Sequence, residues 1–116
     1  MDDQSLRDLF EGLGAISIRR MFGGKGIYHQ GLIIALVVQD ELLLKADSQT
    51  AAAFIEAGSR QWAYDSRKSG KPVAMPYWSV PDEAYDDPEI MADWARLAFA
   101  ASFRTAPAKA KSQKSL

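Results

Sequence analysis

Leu32–Val38 is a run of seven apolar residues bracketed by Gln30-Gly31 and Gln39-Asp40-Glu41. It is far short of the roughly 20 residues needed to cross a bilayer. Its two alternating sets, Leu32/Ile34/Leu36/Val38 and Ile33/Ala35/Val37, are both apolar. A strand wet on one face would alternate apolar with polar, so this one is predicted to be central. Its second face then needs a cover, either a helix or a second subunit. The short polar turns on either side predict antiparallel neighbours, at residues 26–29 before it and 42–46 after it. Residues 16–22 alternate and read as a further strand, entered before the Gly23-Gly24 pair.

The rest of the chain supplies helices and a second hairpin. Residues 4–13 place Leu6, Leu9, Phe10 and Leu13 on one helical face, with Asp2 and Asp3 at its start and Gly12 and Gly14 at its end. Residues 48–57 read as a short helix that Asp47 or Ser48 can cap. Residues 61–66 and 73–80 read as a hairpin joined by the basic turn Arg67-Lys68-Ser69-Gly70-Lys71-Pro72. Pro76 lacks a donor, which predicts an edge strand or a bulge. An acidic loop, 81–87, leads to a last helix capped by Asp87 with Pro88 at its first position. That helix is predicted to run to about Phe103 with a core stripe of Ile90, Met91, Trp94, Leu97, Ala98 and Ala101. The sum is an α+β fold: an antiparallel sheet of about five strands with N-terminal, middle and C-terminal helices. Residues 1–104 form the predicted domain, and 105–116 a disordered basic tail.

The 116 residues include no cysteine, which excludes a disulfide framework and a thiolate site. The start, MDDQSLRD, has no apolar signal core, so a cytoplasmic protein is expected. The formal net charge of −1 argues against a general nucleic-acid binder. The charge is uneven, however. Residues 16–80 hold eight basic and five acidic side chains, while residues 81–103 hold one and six.

Residues 19–31, RRMFGGKGIYHQG, concentrate the unusual features: four of the eight glycines and the sole histidine. A phosphate cradle would need a helix after the glycines. A strand pattern follows instead, so Gly23-Gly24-Lys25-Gly26 reads as a bulge or turn. His29 has no second histidine or cysteine to share a metal with, and reads as a solvated turn residue. No cofactor, metal or catalytic set is predicted. Arg19, Lys25, Arg67, Lys68 and Lys71 are the candidate nucleic-acid contacts, with Trp62, Tyr64, Tyr77 and Trp78 as possible stacking platforms. Arg19 and Arg20 alternate on a strand, so they cannot form one clamp. Phe99 and Phe103 lie one turn apart, opposite the core stripe. They are the candidate partner surface, for a homodimer or another protein.

Met21-Phe22-Gly23-Gly24-Lys25-Gly26-Ile27-Tyr28, followed by Gly31, resembles the N-terminal domain of the TfoX/Sxy family. The resemblance continues through Leu44-Lys45, Phe54, Gly58, Tyr64, Gly70-Lys71-Pro72, Met75, Tyr77, Pro81 and Trp94. It makes Met21, Phe22, Gly23, Gly24 and Gly26 the signature turn. It implies a two-layer α/β domain with an antiparallel sheet and no catalytic residue. It also implies a non-enzymatic role in regulating bacterial DNA-uptake competence, through contacts with the transcription machinery and the cyclic-AMP receptor protein. The chain reads as a stand-alone domain of this type. The alternatives are a nucleic-acid-binding domain on the basic residues and a small-molecule sensor with a pocket near Gly23–Gly26.

Overall fold

The computed structural model describes residues 1–21 and 23–106. Among these, three α-helices, one 3₁₀ turn and six strands follow the order α1 (Asp3–Leu9), β1 (Ser17–Met21), β2 (Gly24–His29), β3 (Leu32–Val38), β4 (Glu41–Lys45), α2 (Ala51–Glu56), β5 (Gln61–Asp65), β6 (Pro72–Ser79), the 3₁₀ turn (Asp82–Asp86) and α3 (Pro88–Thr105). The strands make one antiparallel sheet in the order β1-β2-β3-β4-β6-β5. Each strand falls on a segment that the sequence marks as extended, which makes the sheet one strand larger than the five or so expected.

Local chemistry sets the boundaries. The Asp2 carboxylate accepts from the Ser5 N–H at 2.7 Å and caps α1. That helix ends four residues earlier than its apolar pattern suggested, and residues 10–13 continue as turns. Gly12 explains the tight finish: a Cβ there would sit 2.8 Å from the Pro88 carbonyl oxygen, so the turn closes onto the start of α3. Asp87 caps α3, accepting from the N–H groups of Glu89 and Ile90, with Pro88 in the first turn. α3 runs to Thr105, so the helix takes in the first residue assigned to the tail. The remainder of the predicted tail, 107–116, lies outside the described residues, as does Phe22.

Two of the hairpin turns use left-handed backbone at both central positions, Gln30-Gly31 and Gln39-Asp40. That mirror-image geometry matches strand twist and explains the two-residue connections.

β3 holds the centre of the sheet, as its composition demands, but not by simple alternation. The register slips between Ile27 and Tyr28: Ile27 faces Ala35, and Tyr28 faces Ile33. Ile34 is therefore the extra residue of a bulge, and Ile34 and Ala35 are both fully buried. The buried set becomes Leu32, Ile34, Ala35 and Val37, while Ile33, Leu36 and Val38 are half-buried. α1, α2 and α3 cover the first set. Leu6, Phe10, Phe54, Met91, Ala95 and Ala98 join Ile34, Leu42 and Leu44 in the core.

α3 meets the sheet through small side chains. Met91, Ala92, Ala95, Ala98, Ala101 and Ser102 are buried, and Ile90, Trp94 and Leu97 fall to the half-buried margins. This rotates the predicted stripe. The sheet already supplies the bulk, in Ile34, Leu42 and Leu44, so close packing selects alanine on the helix. Trp94 instead contacts Phe54 at 4.8 Å between ring centroids, and Phe54 stacks on Trp78 at 6.3 Å, which anchors α2.

β6 lies inside the sheet, between β4 and β5, so Pro76 is not on an edge. The other alternative holds. Gln61 pairs with Trp78 but Ala63 pairs with Ala74, a slip that places a bulge around Pro76. The Pro76 carbonyl still accepts from the Ala46 N–H at 2.9 Å.

Candidate docking face

The helices occupy one face of the sheet. The opposite face is built from the residues that alternate away from them. Ser17, Arg19 and Met21 on β1 lie beside Tyr28, Gly26 and Gly24 on β2. Leu36 on β3, Leu43 on β4 and Ser79 on β6 form one cross-strand row, and Lys45 faces Tyr77 in the next. Among the described residues, no helix lies over this face of β3. Trp62 of β5 reaches over instead, lining a cavity of about 290 Å³ with Met21, Leu36 and Val38.

Two cations lie over aromatic rings on this face. The Arg19 guanidinium carbon is 5.0 Å from the centre of the Tyr28 ring, and the Lys45 ammonium is 5.1 Å from that of Tyr77. Such placement holds a cation against the face of an aromatic ring. Burial pushes the Tyr77 phenol up to about 12, with a smaller contribution from Tyr28. Burial also lowers the Lys45 ammonium, opposed by the charge of Asp47. Trp62 and Tyr64 stand together at 6.1 Å between ring centroids, and Tyr64 is exposed. The face is aromatic and apolar with two positive charges. Among the described residues, no group of three or more His, Cys, Asp or Glu could hold a metal ion.

The five candidate nucleic-acid contacts do not converge. Arg19 lies over Tyr28 on the open face. Lys25 faces the helices, where its ammonium donates to the Met1 carbonyl at 2.8 Å and pairs with Asp3 at 2.7 Å. Arg67, Lys68 and Lys71 sit in the connection between β5 and β6, at the far end of the strand order from β1. The alternation argument against an Arg19–Arg20 clamp agrees with the register.

The candidate partner surface on α3 is partly used up. Phe99 is half-buried against the core and meets the His29 ring edge-on at 5.2 Å. Phe103 is exposed. His29 is therefore not a solvated turn residue. Its Nδ1 is 2.8 Å from the Ala15 carbonyl, so the ring ties β2 to the segment before β1 and to α3. The sequence placed it next to a turn but gave no sign of which face it would take.

The signature turn is structural. A Cβ at Gly24 would lie 2.2 Å from the Val37 carbonyl oxygen, so the backbone of β2 approaches β3 more closely than any side chain permits. A Cβ at Gly26 would meet the Met21 methyl at 2.6 Å, so Met21 folds over the space glycine leaves. Cavities flank the turn on both sides. One is the space under Trp62, and the other, about 520 Å³, is bordered by Arg20, Lys25, Val37 and Asp40. With the glycine geometry in place, the comparison with known proteins is decisive: residues 8–102 match the TfoX N-terminal domain.

The chain belongs to the TfoX N-terminal domain family.

The match takes in every strand, α2, and α3 almost to its end. No curated protein matches the chain. For this TfoX N-terminal domain, sequence reasoning singled out Arg19 as a nucleic-acid contact and the glycines as a signature turn, and it named neither Tyr28 nor Lys45 as a candidate site residue. Their signal was register: Tyr28 is two residues from Gly26 on the same strand face, and Lys45 lies opposite Tyr77. Among the described residues, no helix is long and apolar enough to cross a membrane.

Proposed function

We propose that this TfoX N-terminal domain is a non-enzymatic regulatory adaptor that docks a protein partner on the open face of its sheet. One observation carries the reading. Arg19 over Tyr28 and Lys45 over Tyr77 put two cations on the same face as a cavity lined by Met21, Leu36, Val38 and Trp62. A partner segment with acidic residues flanking one apolar anchor complements that surface: its acids reach the cations and its anchor enters the cavity. Family membership supports a role in transcriptional control of competence, with the cyclic-AMP receptor protein or RNA polymerase as partner and a cytoplasmic setting. Binding of the tagged chain to each purified protein tests this. Arg19→Ala and Trp62→Ala are expected to lower capture by about tenfold each, the loss typical of an interface anchor. Capture unchanged in both variants, or absent for the unaltered chain, overturns it.

The cavities beside Gly23 and Gly24 favour a second reading, a small-molecule sensor. Native mass spectrometry of the chain purified from its source reads this directly. A retained, stoichiometric small molecule that Trp62→Ala releases supports the sensor; bare chain alone removes it.

A further inference from the structure

Two strands lie at the edges of the sheet, and they are guarded differently. β1 carries adjacent Arg19 and Arg20, charges of the kind that keep an edge from pairing with another copy of itself. β5, Gln61–Asp65, has no charge until its last residue, and four of its five residues are exposed. Among the described residues, it has a strand neighbour on one side only, β6.

The hydrogen-bond phase of β5 fixes which groups face outward. The Ser66 N–H donates to the Lys71 carbonyl at 3.0 Å, so Ser66 turns its amide toward β6. Asp65 lies opposite Pro72, which has no N–H to give. Amide direction alternates along a strand. Asp65 and Ala63 therefore turn their N–H and C=O groups to the open edge.

We infer that β5 pairs antiparallel with β5 of a second copy of this chain, with the two-fold axis at Ala63. In that register Ala63 faces Ala63 of the other copy, and the two exchange both backbone hydrogen bonds. Trp62 comes opposite Tyr64, in the non-hydrogen-bonded position where side chains approach most closely, so the Trp62–Tyr64 pair doubles into a cluster of four rings. Asp65 comes opposite Gln61, and Arg60, whose side chain is 80% exposed and paired with Glu41, comes opposite Ser66. Pairing on β1 about Arg19 would set arginine against arginine. Trp62 belongs to both this surface and the docking face, but self-association can be measured with no other protein present, so the two readings fail separately.

The test uses the whole chain. Multi-angle light scattering at about 100 µM, a concentration that populates a micromolar dimer, is expected to give about twice the chain mass of 12.8 kDa. Ala63→Pro removes only an outward N–H, at an edge position that tolerates proline. It is expected to weaken association by ~tenfold or more, with the far-ultraviolet circular dichroism unchanged. The chain has no cysteine, so Ala63→Cys gives a clean second probe. It is expected to form a disulfide-linked dimer on mild oxidation, while Ser17→Cys on β1 stays monomeric. A single-chain mass for the unaltered protein overturns the inference. So does a dimer that survives Ala63→Pro while Ala63→Cys fails to cross-link.

Discussion

The Asp47 carboxylate is held in a two-point grip by Arg104: Nε donates to one oxygen at 2.6 Å and an Nη group to the other at 3.0 Å. Fifty-seven residues separate the pair. Asp47 also accepts from the N–H groups of Gln49 and Thr50, so one side chain shapes the entry to α2 and fastens it to the last turn of α3. The sequence offers Asp47 or Ser48 as the cap of a helix over 48–57. α2 begins only at Ala51, with Thr50 at its N-cap and no side-chain cap bond, so Asp47 orders the turn before the helix instead. Its Arg104 partner is not legible in the sequence.

That grip makes stability sensitive to acid. The Arg104 hydrogen bond holds the Asp47 carboxyl at about 2, below its ordinary 3.8. A carboxylate depressed in the folded state takes up its proton first in the unfolded chain. Its stabilisation is therefore full above about pH 4 and is lost as pH falls toward 2. Thermal melts across that window are expected to show a steeper fall for the unaltered chain than for Asp47→Asn. The slope does not vanish in the variant, because the Ser5 bonds to Asp2 and the Lys25 bond to Asp3 lower those carboxyls too. Equal slopes would sever the link to Asp47.

The signature glycines separate by mechanism. Gly24→Ala drives a Cβ into the Val37 carbonyl oxygen, backbone against backbone, and is expected to cost ~3 kcal/mol or more. Gly23 has open space around it but a φ of +78°, so Gly23→Ala pays only the left-handed penalty, about 1–2 kcal/mol. Urea unfolding of the two variants reads the difference. Equal losses would mean that close approach is not what Gly24 supplies.

The scattered basic residues limit DNA binding. Only Arg67, Lys68 and Lys71 share a location, so at most about three phosphates are neutralised together, giving a log–log salt slope no steeper than about −3. A five-residue patch would approach −4.5 by the same relation. Lys25 is engaged with Asp3, so Lys25→Ala is expected to leave any DNA affinity unchanged. Fluorescence anisotropy with a short duplex at several salt concentrations gives both numbers.

Much of the fold could be read from the residues, and the reasons for the misses are physical. Leu32–Val38 announced a central strand because both of its alternating sets are apolar between two polar turns. Asp87-Pro88 marked the start of α3 because capping is local chemistry. The bulge at Ile34 could not be read, since both sets of the strand are apolar and either phase looks the same. The predicted stripe of α3 held Ala98 and Ala101 but left out Ala92 and Ala95, because hydrophobicity ranks Trp94 above Ala95 while packing against a bulky sheet reverses the order. The site was half visible. Arg19 and Trp62 stood out by type, but pairing Arg19 with Tyr28 and Lys45 with Tyr77 depends on register between strands. His29 drew attention as the sole histidine, and its actual tie to Ala15 and Phe99 is a tertiary contact.

The central claim is that the open face of the sheet, not the helical face, receives the partner. Titration of the isotopically labelled chain with the cyclic-AMP receptor protein, followed by amide chemical shifts, tests it most directly. The account predicts changes concentrated at Arg19, Tyr28, Lys45, Trp62 and Tyr77, with α1 and α3 still. Shifts clustered on α3 around Phe99 and Phe103, or no shifts with the partner in excess, would contradict it.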